Sequence, residues 1–395
     1  MPLKVLNSIF AADFKIRPMI KRFISVVLLS LSITLLLGQE SNVETTQHTE
    51  AHHQNHNENE SVDIAKVAFE HILDSHYWHF WGEGHDAVSI PLPCIVYSNM
   101  RGWMFFSASV FEHGTKSFNG LKLEEDIIVS ENPGEKIYDF SLTKNVIQLF
   151  ISAIILILVF TSVAKAYRST GVNTAPKGLQ SFMEPLVLFI RDEVARENIP
   201  LSKADNYVPF LLTIFFLILI NNLLGLIPIS ANVTGNIAFT FTLAFIVLLV
   251  VNIKANHHYW KHIFMPPAPV ALWPILIPIE IIGIFTKPFA LMIRLFANIT
   301  AGHIIIISLI GLIFIFKTIL IAPISVAFGV FIDMLETFVA FLQAYIFTLL
   351  TSLYIGSAIE EHSEEEHIFN TNQRVKVFFI IRFIRIKTNK TINNP

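Results

Sequence analysis

Apolar residues run along this chain in stretches of about twenty, separated by short polar loops, the spacing expected of helices that cross a bilayer. The first run, "FISVVLLSLSITLLLG", follows Lys15, Arg17, Lys21 and Arg22 and gives way to polar sequence at Gln39. It reads as a secretion signal over 1–38, cleaved near Gly38 or Gln39, with a retained anchor as the alternative and Met19 as an alternative start. Residues 39–61 ("ESNVETTQHTEAHHQNHNENES" within them) are low in complexity and rich in His and Glu. They predict a flexible segment, with loose metal binding by His48, His52, His53 and His56 as the other reading. Over 62–140 aromatic and turn residues mix ("HYWHFWGEGHD", "MRGWMFFSASVFEHG"), which predicts a small, β-rich extracytoplasmic module.

Five spans follow, at about 146–166, 207–228, 236–255, 273–316 and 323–358, inside a membrane domain of 141–366. Between the first two, "LQSFMEPLVLFIRDEVARENI" spaces its apolar residues as an amphipathic helix lying along the membrane surface does. The fourth stretch is the odd one. As one helix at about 1.5 Å per residue it reaches roughly 60 Å, twice the hydrocarbon thickness. It must break near Pro274 or Pro278, or tilt beyond the usual ~20°. The fifth is also too long for an upright crossing, so the two predict a strongly tilted hairpin wrapped around another membrane object.

Composition agrees: the 395 residues are 53% hydrophobic and 15% charged, against about 25% charged in soluble domains. The fold class is all-α polytopic membrane protein with a small N-terminal module. The net charge of −3 says little, but the distribution of basic residues orients the chain. Lys165, Arg168, Lys177, Arg191, Arg196 and Lys203 share one loop, Lys254 and Lys261 another, and "IPISANVT" between them has none. The positive-inside rule makes the two basic loops cytoplasmic, the mature N-terminus external and the basic tail at 367–395 internal. The single cysteine, Cys94, excludes an intrachain disulfide and reads as a small apolar residue. No nucleotide-binding loop is present, so no ATP chemistry and no cofactor are expected of this chain.

The last two spans carry Glu280, Lys287, Arg294, Asn298, His303, Asp333, Glu336, Gln343 and Tyr354. An arginine at the bilayer centre costs about 2.5–3.5 kcal/mol on insertion scales, so such residues need a reason. Arg294 and Asn298 are four apart and share a helix face, whereas His303 lies about 180° round and roughly 13 Å along from Arg294. Glu336 and Gln343 share a stripe on the last helix, with Asp333 about 60° off it. Asn and Gln serve as interhelical ties in many membrane helices, and Lys287 beside Pro288 can snorkel to the interface. Arg294, His303 and Glu336 are ionisable and deep, which points to an ion or proton path.

These residues carry a resemblance. "KPFALMIRLFANITAGH" with "ETFVAFLQAYIFTLLTSLYIGSAIEEH", and upstream "NNLLGLIPISANVTGNIAFTFTLA", resemble subunit a of F-type ATP synthase over roughly 140–366. The resemblance implies a non-catalytic, proton-conducting stator subunit of a bacterial inner membrane. Its partners would be a ring of c subunits, a b-type peripheral stalk, lipid and, indirectly, the soluble catalytic head. It also implies roles for residues. Arg294 would be the essential arginine, with Asn298 beside it and Gln343 facing it. His303 and Glu336 would be a channel pair found as glutamate and histidine in other members. Glu280 would lie on the cytoplasmic route, Tyr354 further along, and Asn222 in the hairpin. Where some members have an aspartate this chain has Gly225, and Asp333 is a possible compensation. The implied mechanism has two offset half-channels that load and unload ring carboxylates across Arg294. A self-contained secondary transporter with a midplane ion site is the alternative, though no internal repeat of the kind such proteins show is visible.

Overall fold

A computed structural model describes residues 74–360, apart from 82–87, 125, 171–174, 228–229, 267 and 317–320. The expected signal segment, the His-rich segment and the basic tail lie outside the described residues.

The chain first builds a small β module. Strands β1 (Tyr77–Trp81) and β2 (Val88–Pro91) pair antiparallel, as do β5 (Leu121–Glu124) and β6 (Ile127–Ser130). Between them β3 (Pro93–Ser98) is flanked by β4 (Gly102–Ser107) and β7 (Ile137–Asp139), in the order β4-β3-β7. Alternation decides what is buried: Cys94 and Val96 of β3 point inward and pack with Tyr77, Phe111, Leu121 and Ile128. Burial pushes the Cys94 thiol up to about 12, so it behaves as the apolar residue its context suggested.

A buried polar cluster fastens the module to the first helix. His76 Nε2 meets Asp139 Oδ2 at 2.9 Å, and Asp74 accepts from Thr143 Oγ1 (2.8 Å) and the Asn145 amide (3.2 Å). Burial alone would lower the His76 pKa, but the hydrogen bond and charge of Asp139, with Asp126 and Asp74 behind it, outweigh it and raise it. For Asp139 burial pulls upward, and the contacts from His76 and Ser141 bring its pKa below the usual carboxylate value. A raised histidine stabilises below its unfolded pKa of about 6.5 and stops doing so as pH rises through the folded value. A lowered aspartate stabilises above about 3.9 and fails only in stronger acid. Asp74, raised by its burial, adds to the loss as pH rises. The junction is therefore firmest in mildly acidic water. Amide hydrogen exchange at 74–76 and 139–145, corrected for intrinsic rates, is expected to accelerate as pH rises above about 6.5. Unchanged protection across that rise contradicts the assignment.

Among the described residues, five helices are long and apolar enough to cross a membrane. They are α1 (Lys144–Thr170), α3 (Leu201–Gly225), α4 (Ile237–Lys254), α6 (Trp273–Phe316) and α7 (Ile321–Ile359). Helix α3 starts directly after Pro200, earlier than the apolar run suggests, and stops at Gly225; Pro228 in the sequence disfavours its continuation. Two shorter helices that also matter here are α2 (Leu179–Phe189) and α5 (His257–Phe264). The surface-type periodicity predicts one regular helix from 179 onward. Instead α2 runs into a π-helical insert, Ile190–Ala195, which buries Ile190, Arg191, Val194 and Ala195 together; an inserted residue widens the turn and shifts the buried face.

Helix α3 is the hub. Of its most apolar stretch 78% is buried, against 11% for α6 and 17% for α7. Polar ties hold α3 to its neighbours: Asn221 Nδ2 donates to Ser152 of α1 (3.0 Å) and Asn222 Nδ2 to the Ala340 carbonyl of α7 (3.1 Å). The far end of α7 seats on the π insert, where Ser352 Oγ donates to the Val194 carbonyl at 2.9 Å. A Cβ on Gly356 there would collide with the Asn198 carbonyl, so only glycine permits this approach. Helix α6 passes Pro278 and Pro288 as one element, with Pro274 in its first turn. Over its 44 residues the chain thus takes the unbroken alternative of the two that its length allowed.

Candidate functional site

Four polar residues of the last two spans meet in pairs where α6 and α7 pack side by side. Two cross-helix contacts set the register. Asn298 Nδ2 donates to Gln343 Oε1 at 3.0 Å, and His303 Nδ1 lies 2.8 Å from Glu336 Oε1. Residue numbers rise on α6 as they fall on α7, so the helices are antiparallel.

His303 is held at both ring nitrogens. Its Nε2 is 3.0 Å from the carbonyl oxygen of Gly225, at the end of α3. That carbonyl can only accept, so Nε2 carries a hydrogen. A neutral imidazole has one N–H and one bare nitrogen. The contact with Glu336 therefore holds one proton, either on Nδ1 facing a carboxylate or on the carboxyl facing a bare Nδ1. Glu336 is buried, at 4% exposure, and His303 is half-buried.

Small residues make room for this pair. A Cβ on Gly302 would stand 2.7 Å from Glu336 Cδ, closer than real atoms pack, so the glycine before His303 leaves space for the carboxylate. Gly225 contributes a backbone oxygen at the position where the resemblance expects an acidic side chain in some members. Asp333 does not take that place: it is exposed on α7, while Glu336 three residues on is buried.

Asn222 is fully buried and ties α3 to the α7 backbone at Ala340, between Glu336 and Gln343. Asn222 Oδ1, Glu336 Oε2 and Gln343 Nε2 are buried without a partner among the described residues. Glu336, Ala340 and Gln343 follow one stripe of α7, so these open polar atoms line a single seam between α3, α6 and α7. Buried polar atoms of this kind are ordinarily met by water.

Arg294 and Asn298 lie one turn apart on α6 and are both exposed. Among the described residues, no hydrogen bond or ion pair reaches the Arg294 guanidinium. Gln343, which the resemblance has facing the arginine, accepts from Asn298, one turn from Arg294 on α6. Further toward the start of α6, Lys287 Nζ sits 5.6 Å above the ring of Tyr354, within cation–π range. Glu280 is half-buried, four turns from Arg294, and joins neither group. The structure thus brings together His303, Glu336 and Gly225; it pairs Asn298 with Gln343; and it leaves Arg294 and Asp333 open.

Gly302 and the Gly225 carbonyl were not singled out by residue type. An isolated glycine inside an apolar helix is the one signal for Gly302; a backbone carbonyl leaves none.

Comparison with known proteins bears on this geometry. A family model described as ATP synthase A chain matches residues 146–356, and one described only as a domain of unknown function matches 67–148. Among curated proteins, the chain is similar to ATP synthase subunit a of Chloroherpeton thalassium, 52% identical over 237 residues, covering 58% of this chain and 71% of the relative. Subunit a of Chlorobium phaeobacteroides is 49% identical over 237 residues, 58% of this chain and 69% of its own. Subunit a of an Anaeromyxobacter species is 46% identical over 239 residues, 58% and 57%.

Proposed function

This chain belongs to the ATP synthase subunit a family, and from that premise we propose how it moves protons. It is a multi-pass protein of a bacterial membrane and the proton-translocating subunit of the membrane sector. In our reading α6 and α7 lie obliquely against a ring of c subunits, each carrying one membrane-buried carboxylate. The sparse burial of both helices within the chain supports such a partner. A b-type stalk holds the subunit against rotation, and the soluble catalytic head does the nucleotide chemistry. The basic loops face the cytoplasm, with the β module on the other side.

The observation that carries the mechanism is Arg294, exposed on α6 with no ion pair among the described residues, on the same helix as His303 of the acid–base pair but on another face. A carboxylate in hydrocarbon prefers to be neutral, because desolvation raises its pKa. It crosses lipid only when protonated. Beside a permanently charged guanidinium the ionised form is favoured, so each ring carboxylate gives up its proton as it passes. The same charge repels a proton moving straight between compartments.

Two half-channels that do not meet then force every proton onto the ring. The outer one runs along the seam of Asn222, Glu336 and Gln343, where His303 and Glu336 pass one proton between them across their 2.8 Å contact. Asn298 and Gln343 hold the two helices in register beside Arg294. Glu280 and Tyr354 belong to the cytoplasmic exit. The driving force is about 2.3 kcal/mol per charge per 100 mV, plus any pH difference. Co-purification with a ring of small two-helix proteins, and ATP-driven acidification of inverted vesicles that depends on this chain, test the reading. Migration of the chain without such a ring counts against it.

Gly302→Ala offers a finer probe. The added methyl is expected to push the Glu336 carboxylate off His303, at a cost of about 1–3 kcal/mol for overpacking. Pumping should fall about tenfold or more at equal ring-bound protein, since about 1.4 kcal/mol is a factor of ten. Parental rates from the alanine variant contradict the proposed closeness of the pair.

A further inference from the structure

One face of the three-stranded sheet is aromatic and, among the described residues, uncovered. The registers place Tyr97 opposite both Trp103 and Tyr138, and Ile95 opposite Phe105. By strand alternation these side chains all point away from Cys94 and Val96, which fill the module's core. The rings touch one another: Tyr97 and Trp103 have centroids 5.2 Å apart, Trp103 and Phe140 5.6 Å, and Tyr97 and Tyr138 6.2 Å. Trp103 is 58% exposed and Phe105 71%. A sheet face turned to water ordinarily alternates to polar residues. On this face the strands β3, β4 and β7 present no charged side chain.

The place of the sheet says what covers it. Phe140 is four residues before Lys144, where α1 begins, a reach of at most about 14 Å. The polar layer of a bilayer adds only about 5–8 Å on each side of the hydrocarbon. The sheet cannot swing away, because its central strand is bonded to the chain that enters the helix. Phe140 N donates to the Ile95 carbonyl (2.8 Å), Leu142 N to that of Pro93 (3.2 Å) and Lys144 N to that of Ser75 (3.1 Å). Tyrosine and tryptophan are the side chains enriched at the headgroup level, where an apolar ring and a polar tip are both satisfied.

We propose that this face of Tyr97, Trp103, Phe105, Tyr138 and Phe140 lies in the phospholipid headgroup layer, so that the β module is an interfacial anchor beside the first span. It braces the start of α1 from the side. The inference is independent of the proton path.

The test uses the assembled complex in lipid nanodiscs, where both membrane faces meet the buffer. The emission of Trp103 is taken as the difference between the parent and Trp103→Phe, a change that keeps an aromatic ring in place. Phospholipids brominated on the acyl carbons nearest the headgroup are expected to quench that difference emission, with aqueous iodide having little effect. Quenching by iodide and not by the bromolipid would place the face in water and overturn the proposal. Quenching by neither would mean that protein covers it, a partner subunit or a second copy, and would overturn it equally.

Discussion

Replacing Arg294 by alanine is expected to abolish ATP-driven proton pumping while leaving the complex assembled. The guanidinium makes no internal bond among the described residues, so its removal orphans no partner inside the chain. In the proposed mechanism the loss falls on the ring carboxylate instead. At a separation of about 4 Å and an effective dielectric of about 20, the attraction is about 4 kcal/mol, or about a thousandfold in the discharge step. Without it the carboxylate stays neutral in its apolar surroundings and carries its proton past the exit. The barrier between the half-channels falls as well, so passive proton leak through the membrane sector should rise. Arg294→Lys separates two aspects of the role. A lysine keeps a charge but gives up a proton readily when buried, so it should retain only a part of the pumping. Acidification of inverted vesicles, read alongside ATP hydrolysis, measures all three quantities. Parental pumping by the alanine variant is incompatible with the mechanism.

The second large effect concerns His303 and Glu336. Glu336→Gln keeps the shape of the side chain but removes the proton that the pair shares across 2.8 Å. An amide cannot accept and release that proton, so pumping should fall by one to two orders of magnitude, about 1.4–2.8 kcal/mol in barrier height. Breaking a buried ion pair by deleting one partner also destabilises, by about 3–5 kcal/mol where the remaining charge is trapped. The half-exposed His303 should feel less than that. The informative variant is the exchange, His303→Glu with Glu336→His, because it restores an acid and a base on facing helices. The double variant should pump well above either single one, since the relay needs the pair and not a particular order. Exchange that does no better than Glu336→Gln would mean that the Gly225 carbonyl, which receives Nε2–H here, fixes the order after all.

Much of this site was legible before any coordinates, and the reason is energetic. Lipid penalises ionisable groups so strongly that Arg294, His303 and Glu336 stand out by residue type alone, and helical angles then sort them onto faces. Five apolar runs of sufficient length likewise announce the five helices, and the 44-residue length of α6 was implied by an apolar stretch that two prolines did not end. Angles within one helix say nothing about contacts between helices. The hydrogen bond that Gln343 accepts from Asn298, for one, follows from no angle on either helix. Gly225, read as a missing acid, supplies its carbonyl, a group that every residue has. The π insert at Ile190–Ala195 is invisible for a related cause: its buried face answers to the end of α7, far away in sequence, where Ser352 and Gly356 dock. In the β module mixed aromatic and turn residues suggested β structure, but the pairing that turns five aromatic residues to one side needs the register of three strands at once.

The central claim is that one fixed positive charge divides two blind-ended water paths. A density map of the ring-bound complex in lipid, at a resolution that reveals ordered water, tests it most directly. The account predicts one hydrated cavity reaching His303 and Glu336 from the side opposite the basic loops and a second opening toward those loops, with Arg294 and an unprotonated ring carboxylate in the dry gap between. A single unbroken line of water running past Arg294 from one compartment to the other would contradict it.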